Sequence, residues 1–242
     1  MARYGRVYKD DKEQEARFMV FKNNVAYIEE FNSKNLAYKL SVNKFADQTN
    51  EEFKTTRNRL KFPPTQTAQT TPFRHEDVTE VPSSMDWRKK GAVTPVKDQG
   101  QCVQNKGINT EAAYPYTGSD GTCNTKEEGV HAATISGYEN VPANNESALL
   151  KAVVMQPVSV AVDASKFQFY SSGVLNGTCG TELDHGVTVV GYGTSDDGMK
   201  YWLVKNSWGP DWGEAGYIRM QRDIEAKEGM CGIAMMASYP TA

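Results

Sequence analysis

Short apolar segments separated by turn residues fill the C-terminal third of the chain, and this pattern constrains the fold more than any other feature. Four such segments occupy residues 158–162, 187–192, 201–206 and 216–220. The first alternates in the period of two that is typical of a strand. Gly and Asp turns such as Asp197-Gly198 separate the later segments, as expected for consecutive short strands. The pattern predicts a complete and mostly antiparallel β lobe.

Two helices are predicted before this lobe. Residues 8–35 carry apolar residues at spacings of three and four, which is typical of an amphipathic helix with one core-facing stripe. The stripe consists of Phe18, Phe21, Val25, Ile28 and Phe31. A shorter helix can be capped by Asn144 or Asn145, runs through Leu149, Leu150 and Val154, and ends at Pro157. Helices together with the β lobe give an α+β fold class.

Residues 61–80 differ in composition from the segments on either side. Pro63-Pro64, Pro72 and a run of threonines and glutamines at 65–71 indicate an extended linker with little apolar surface. Such a stretch should be accessible to proteases. We therefore expect a helical domain at 1–60, a linker or cleavage region at 61–80, and a second domain at 81–242.

The composition excludes several classes of protein. The 242 residues are 39% hydrophobic and 24% charged, as in an ordinary globular protein. A net charge of −3 argues against a nucleic-acid surface, and no apolar run has the length of a membrane span. We expect no signal peptide after Met1. The sequence contains no Cys-x-x-Cys motif and no paired His spacing, so we expect no metal site. We expect a monomer without metal, cofactor, nucleic-acid or membrane partners.

Three short motifs carry the chemistry. His185 stands at the head of an apolar strand segment in Leu183-Asp184-His185-Gly186. Asn206 follows in Asn206-Ser207-Trp208-Gly209, and Gln99 lies upstream in Gln99-Gly100-Gln101-Cys102. Together with residues 81–102, these blocks resemble papain-like cysteine proteases and are most similar to the plant members. The resemblance implies a papain-like two-lobe fold and cysteine endopeptidase chemistry on peptide or protein substrates.

The resemblance also implies a role for individual residues. His185 would be the general base and acid, Asn206 would fix its tautomer, and Gln99 would donate to the oxyanion. Trp208 would shield the His–Asn hydrogen bond from water. Ala161, Leu183 and Gly186 would line the pocket for the second residue before the scissile bond. The resemblance further pairs Cys179 with Cys231 in a disulfide.

The N-terminal helix is similar to the propeptides of the same family. It carries their polar pattern without a mismatch, in Glu13, Arg17, Phe21, Asn24, Ile28 and Asn32. Glu13 and Arg17 are four residues apart, so they can pair on the helix surface. A second propeptide motif matches at Asn43, Phe45 and Asp47, although Ser41 replaces its glycine. The resemblance implies that residues 61–80 cross the active-site cleft and are cut near Val81. The alternative is that these residues are a plain tether between the two domains, which would have the same boundaries.

The nucleophile of the family cannot be assigned in this chain. Cys102 matches a disulfide cysteine that lies three positions before the attacking cysteine, but Val103-Gln104-Asn105 follows it here. His185 comes only 83 positions after Cys102, whereas in the family the histidine comes about 130–150 positions after the nucleophile. We therefore predict an internal deletion at 102–103 and a truncated helical lobe. Cys102 and Cys123 would remain free thiols or form an improvised pair.

Three hypotheses follow about function. The first is a papain-like cysteine endopeptidase by family that is inactive in this chain because the nucleophile is missing. The second is an inhibitor of related cysteine proteases that acts through its propeptide-like domain. The third is an unstable, non-functional isoform or a defective gene model. By family, the protein would occupy a vacuole or lysosome-like compartment or the extracellular space.

Overall fold

The computed structural model describes residues 4–58, 72–96 and 135–241, which form a mixed α+β fold around one large sheet. Three helices occupy α1 Asp11–Ser33, α2 Asn50–Arg57 and α3 Glu146–Met155. The strands are β1 Tyr38–Leu40, β2 Met85–Asp86, β3 Gly137–Asn140, β4 Val158–Val162, β5 Tyr170–Leu175, β6 His185–Thr194, β7 Lys200–Lys205, β8 Tyr217–Gln221 and β9 Ala237–Thr241. A 3₁₀ turn spans Met230–Gly232.

The sheet has the order β1-β5-β8-β7-β6-β4-β9-β3, and β2 also pairs with β6. All of these pairs are antiparallel except β5 with β8. The α+β fold class and the mostly antiparallel lobe are thus confirmed. The four predicted strand segments correspond to β4, β6, β7 and β8 within a few residues at each end. The prediction of a truncated helical lobe falls on residues 97–134, which lie outside the described residues.

Helix α3 packs against the sheet as its sequence predicts. The side chain of Asn145 caps the helix by accepting a hydrogen bond from the Ala148 N–H, and the helix ends two residues before Pro157. Its face toward the sheet contains Leu149 and Val153, both fully buried beside the strands. Each such side chain contributes about 1.5–3 kcal/mol when it is fully buried. This layer holds β4 and β6 in the positions that the site requires.

Helix α1 is attached to the following segment by polar side chains rather than by the predicted apolar stripe alone. The Asn24 Nδ2 donates to the carbonyl oxygens of Ala46 and Gln48, each at 2.9 Å. The Asn32 side chain donates to the Leu40 carbonyl at 2.8 Å and accepts from its N–H at 3.0 Å. These bonds satisfy backbone groups that the short segment leaves unpaired.

Two expectations about α1 are corrected by these contacts. Phe18 is 52% exposed, because the face that packs is set by the polar residues and by Ile28, which is buried. Arg17 does not pair with Glu13 in the described part of the chain; its guanidinium donates to Glu52 at 2.7 Å. Glu13 instead accepts from the Lys9 N–H at 2.7 Å. Arg17 therefore binds across to α2 and not along the surface of its own helix.

The N-terminal residues continue the main sheet through β1. Tyr38 lies opposite Gly173 in the β1–β5 pair, and the Ser41 N–H donates to the Phe169 carbonyl at 2.9 Å. Ser41 is not among the residues with positive φ, so the glycine of the family pattern is not needed there. Gln168, which is 3% exposed, accepts from Asn43 and Asn50 and donates to two carbonyls of the N-terminal segment.

Residues 72–96 contact the lobe at several points. The expectation of little apolar surface in 61–80 does not hold at Phe73, which is 8% exposed and belongs to the main core. Further along, the Trp87 Nε1 donates to the Val153 carbonyl of α3 at 2.7 Å. The chain is therefore anchored on the lobe before and after Val81. Residues 59–71 of the predicted linker lie outside the described residues.

Candidate active site

The antiparallel pairing of β6 and β7 brings His185 and Asn206 together. His185 is the first residue of β6, and Asn206 follows the last residue of β7, so the two lie at the same end of the pair. The His185 Nε2 and the Asn206 Oδ1 are 2.8 Å apart, and both residues are 3% exposed. The Ser207 N–H also donates to Asn206 Oδ1, which identifies that atom as the oxygen. Nε2 therefore carries the proton, and the Nδ1 lone pair of the neutral ring stays available as a base.

Trp208 covers this pair with its indole ring. The ring stacks on His185 at 4.8 Å between centroids and 24° between planes, and Trp208 is 1% exposed. Burial lowers the pKa of His185 to about 4, although the hydrogen bond to Asn206 opposes part of the shift. With this pKa, the buried histidine is neutral at pH 7.

The buried histidine should make stability depend on pH. The unfolded chain binds a proton at His185 near pH 6.5, whereas the folded chain binds it only near pH 4. Unfolding therefore takes up a proton between these values, and the free energy of unfolding falls by about 3 kcal/mol as the pH is lowered through this window. We expect His185→Gln to remove this contribution, as measured by denaturant unfolding at pH 7 and pH 4. If the free energy of unfolding falls equally in the wild-type chain and in His185→Gln between pH 7 and pH 4, His185 is not the group responsible.

The three residues implied for the substrate pocket lie around the histidine. Ala161 of β4 is opposite Gly186 of β6, and Leu183 comes two residues before β6. A Cβ built on Gly232 would lie 2.7 Å from the Leu183 side chain and 2.9 Å from the sulfur of Met235, so these groups are neighbours. Sequence reasoning missed Met235, whose only signal was the apolar run 233–236 after Cys231.

A disulfide fixes the loop that leads to His185. Cys179 and Cys231 are bonded, with Cα atoms 4.9 Å apart and a sequence separation of 52. The bond links this loop to the 3₁₀ turn at Met230–Gly232. Asp184 is held in turn by the Ala164 N–H, which donates to its Oδ1 at 2.9 Å. These constraints define the direction in which the chain enters β6.

Residues of the N-terminal domain lie over the indole of Trp208. The rings of Phe53 and Phe45 contact it edge-on, at 5.0 and 6.2 Å between centroids. The Asn58 Nδ2 donates to Asp184 Oδ2 at 3.0 Å, one residue from the histidine. Burial raises the pKa of Asp184, and this hydrogen bond partly opposes the rise. None of these contacts was foreseen from the sequence, because they depend on how the two regions dock.

The second propeptide motif forms the turn that carries Phe45. Asn43 is buried and accepts from the Phe45 N–H at 2.9 Å, which closes the turn. Asp47 is also buried; its Oδ2 accepts from the Tyr8 hydroxyl at 2.9 Å and lies 3.3 Å from Arg6. Phe21 packs against the small cluster of Ile28 and its neighbours. The motif residues thus build a surface that presents Phe45 and Phe53 to the lobe.

Several predicted residues cannot be placed on the structure. Gln99, Cys102 and Cys123 lie outside the described residues. In the described part of the chain, the Asn206 Nδ2 is buried without a hydrogen-bond partner. Within the same residues, no cluster of three or more His, Cys, Asp or Glu is suited to a metal ion. No described helix is long and apolar enough to cross a membrane.

Comparison with known sequences agrees with the geometry. Residues 81–104 and 103–241 match the family described as "Papain family cysteine protease", and residues 1–53 match "Cathepsin propeptide inhibitor domain". A senescence-specific cysteine protease of Oryza sativa subsp. indica, SAG39, is 46% identical over 100% of this chain and 88% of its own length. Vignain of Ricinus communis is 48% identical over 94% of this chain and 80% of its own length.

Solved structures give the same result at the level of the fold. The recombinant stem bromelain precursor superposes with a TM-score of 0.84 at 41% identity, covering 100% of this chain and 96% of that one. Digestive procathepsin L 3 of Tenebrio molitor superposes at 0.85 with 32% identity over 100% and 96% of the two chains. A lobe with a helical propeptide domain docked on its histidine is the arrangement of a peptidase proenzyme. The chain belongs to the papain family of cysteine proteases.

Proposed function

We propose that this chain is a catalytically silent member of its family, with the proton-transfer half of the site intact and no nucleophile. The observation that carries the proposal is the sequence after Cys102, where Val103-Gln104-Asn105 follows and the family's attacking cysteine is absent. His185 and Asn206 retain a base of the right tautomer beside the pocket. The family implies protein substrates, but a neutral imidazole with no thiol beside it cannot open a peptide bond by covalent catalysis.

The comparisons support a gap in the same place. The papain-family match is divided into two ranges that meet at residues 103–104. The alignment with the Oryza relative spans 301 positions, whereas the chain has 242 residues, so at least 59 positions face no residue here. A deletion of this size agrees with the short distance from Cys102 to His185. Such a gap would remove the nucleophile together with the helix that begins at it.

Neither of the two cysteines in the described residues is free to replace the nucleophile. Cys179 and Cys231 are used in the disulfide. A reactive thiolate needs a lowered pKa from an imidazolium and a helix N-terminus, and the sequence after Cys102 predicts no helix. The test is peptide hydrolysis by the purified chain, with Cys102→Ser as the informative variant. Hydrolysis that this variant abolishes would overturn the proposal, and its absence in both proteins would support it.

A second candidate function is inhibition of related cysteine proteases by the N-terminal domain. The observation that favours it is a network of contacts within residues 4–58, in which α1, α2 and the turn at Asn43 support one another. The surface that would bind a partner protease is occupied by the chain's own lobe, through β1, Gln168 and Trp208. Inhibition in trans would therefore require the N-terminal domain to leave that position.

A pair of glycine variants tests this candidate. Gly173 has a φ of +90°, and a Cβ there would lie 2.3 Å from the Ala37 carbonyl oxygen, so Gly173→Ala should break the β1–β5 pairing. Gly198 has a similar φ of +82° but open space around it, so Gly198→Ala is a matched control. We expect Gly173→Ala, and not the control, to inhibit an active papain-family protease at micromolar concentration. If neither variant slows the enzyme, the inhibitor function is excluded.

The remaining properties follow from the family. We infer a monomer that meets peptide or protein segments at the cleft and resides in a vacuole, a lysosome-like compartment or the extracellular space. The support is the family membership, together with the disulfide, which is typical of oxidising compartments. Light scattering of the purified chain would measure the oligomeric state, and a dimer at micromolar concentration would contradict the inference.

A further inference from the structure

Two segments of the chain have the sequence that accepts N-linked oligosaccharides, which is Asn-x-Ser or Asn-x-Thr with any residue except proline in the middle. They are Asn145-Glu146-Ser147 and Asn176-Gly177-Thr178. Neither belongs to the catalytic residues or to the N-terminal domain. A pattern this short arises often by chance, so the sequence alone does not distinguish the two sequons. They differ in how the fold holds the amide of the asparagine.

The side chain of Asn145 is already used as the cap of α3. Its Oδ1 accepts from the Ala148 N–H at 2.9 Å, which satisfies a donor that the first helical turn would leave without a partner. The middle residue, Glu146, is partly buried, and its carboxylate accepts from the Trp202 Nε1 at 2.8 Å. Ser147 is the second residue of the helix. A transferase that encloses these three residues would have to unwind the first turn of α3 and break both hydrogen bonds.

The sequon at 176–178 lies in a connection without helix or strand. β5 ends at Leu175, and β6 begins only at His185. Gly177 and Thr178 are exposed, and Asn176 is partly exposed. Gly177 has a φ of +84°, and a Cβ built there would meet no atom within 4 Å. The space around the middle of this sequon is therefore open.

The side chains of Asn176 and Thr178 make no hydrogen bond to any other residue that the structure describes. The chain is held on either side of the sequon instead. Leu175 belongs to the β5–β8 pair, and Cys179 is bonded to Cys231. The sequon is thus a short exposed segment between two fixed points. An oligosaccharide on its amide would extend into solvent without displacing a described contact.

We propose that Asn176 is an N-glycosylation site and that Asn145 is not. The co-substrate is an oligosaccharide whose first sugar is joined through C1 to a lipid diphosphate. The amide nitrogen of Asn176 forms a bond to C1 and loses one proton, while the bond between C1 and the diphosphate oxygen breaks. The lipid diphosphate leaves with the electron pair of that bond, so nothing is oxidised or reduced. Thr178 supplies the hydroxyl that the sequon requires.

This modification is typical of surface loops in secreted proteins, so the site rests on the vacuolar, lysosome-like or extracellular compartment proposed above. The disulfide between Cys179 and Cys231 supports the same compartment, because disulfides persist in oxidising surroundings. Peptide hydrolysis plays no part in the modification, so a silent chain and an active one would carry the same oligosaccharide.

Translation of the full chain in the presence of microsomes tests the site. A cleavable leader delivers the chain to the lumen whatever its natural compartment. We expect one oligosaccharide per chain, which an amidase specific for N-linked glycans should release with conversion of Asn176 to aspartate, located by mass spectrometry. Thr178→Ala should abolish the modification, and Thr178→Ser should retain it. Ser147→Ala is the matched control, because it destroys the other sequon but leaves the cap at Asn145 in place.

The possible failures are distinguishable. Removal of the leader shows that the chain has entered the lumen, so an unmodified chain without its leader overturns the site and says nothing against the compartment. Two oligosaccharides per chain, or one that Ser147→Ala removes, also overturn the proposal. A chain that is modified in microsomes but unmodified in its own tissue upholds the site and contradicts the proposed compartment.

Discussion

Peptide hydrolysis by this chain is expected to be about 10⁶-fold slower than by an intact papain-family protease, because removing the nucleophile from a catalytic unit costs about that factor. The same reasoning makes a stronger prediction for His185. Residues of one catalytic unit are grossly non-additive, so a histidine without a nucleophile contributes almost nothing. We therefore expect His185→Ala to have the same residual rate as the wild-type chain.

The measurement is turnover of a fluorogenic peptide under reducing conditions, before and after removal of the N-terminal domain. Removal matters because Phe53 and Asn58 lie over the site and would hide a functional one. An active family member and its own His→Ala variant provide the control, and there the variant should lose nearly all activity. A wild-type rate well above that of His185→Ala would show that the histidine still works with a nucleophile in this chain.

Replacing Trp208 with alanine is expected to have the largest effect on the folded state. Trp208 is 1% exposed, and its ring contacts those of Phe53, Trp212 and His185. Loss of such a side chain costs about 3–5 kcal/mol of unfolding free energy. Since the indole also excludes water from His185, its removal should raise the pKa of the histidine from about 4 toward its ordinary value near 6.5.

Trp212→Ala separates these two effects. Trp212 is also 1% exposed and packs on Phe167, Tyr170 and Trp208, but its ring does not stack on the histidine. We expect a similar loss of stability in denaturant titrations and a His185 pKa that stays low in NMR titrations. A low pKa in Trp208→Ala as well would mean that another group buries the imidazole.

The strands that the sequence predicts are those whose pattern is local. β4 reads as alternating apolar residues, and α3 carries both its cap at Asn145 and its stop at Pro157. By contrast, β3 and β9 are not predicted from the sequence. β3 is a short edge strand in which Tyr138 is 69% exposed, and β9 contains Pro240. β1 has three residues and exists because Gly173 lets it approach β5. Such pairings arise from tertiary contacts, which no local pattern encodes.

The candidate site likewise has one part that local sequence motifs predict and another part that depends on tertiary contacts. His185 and Asn206 could be predicted because each stands in a specific motif at the end of a recognisable strand. The contacts of Phe53 with Trp208 and of Asn58 with Asp184 join residues more than a hundred positions apart. They depend on the docking of α1 and α2 on the lobe, which is directed by buried polar groups such as Gln168. Phe18 shows the opposite case: its spacing predicts a place in the apolar stripe, but the helix packs through the face that carries the polar residues, and Phe18 stays exposed.

Covalent labelling tests the missing nucleophile most directly. The wild-type chain and His185→Ala would be treated with a peptidyl epoxide that alkylates activated cysteines, and the adducts would be located by mass spectrometry. Without a thiol activated by His185, any slow labelling of Cys102 or Cys123 should proceed equally in both proteins. Rapid alkylation of one cysteine in the wild-type chain that His185→Ala abolishes would contradict the account.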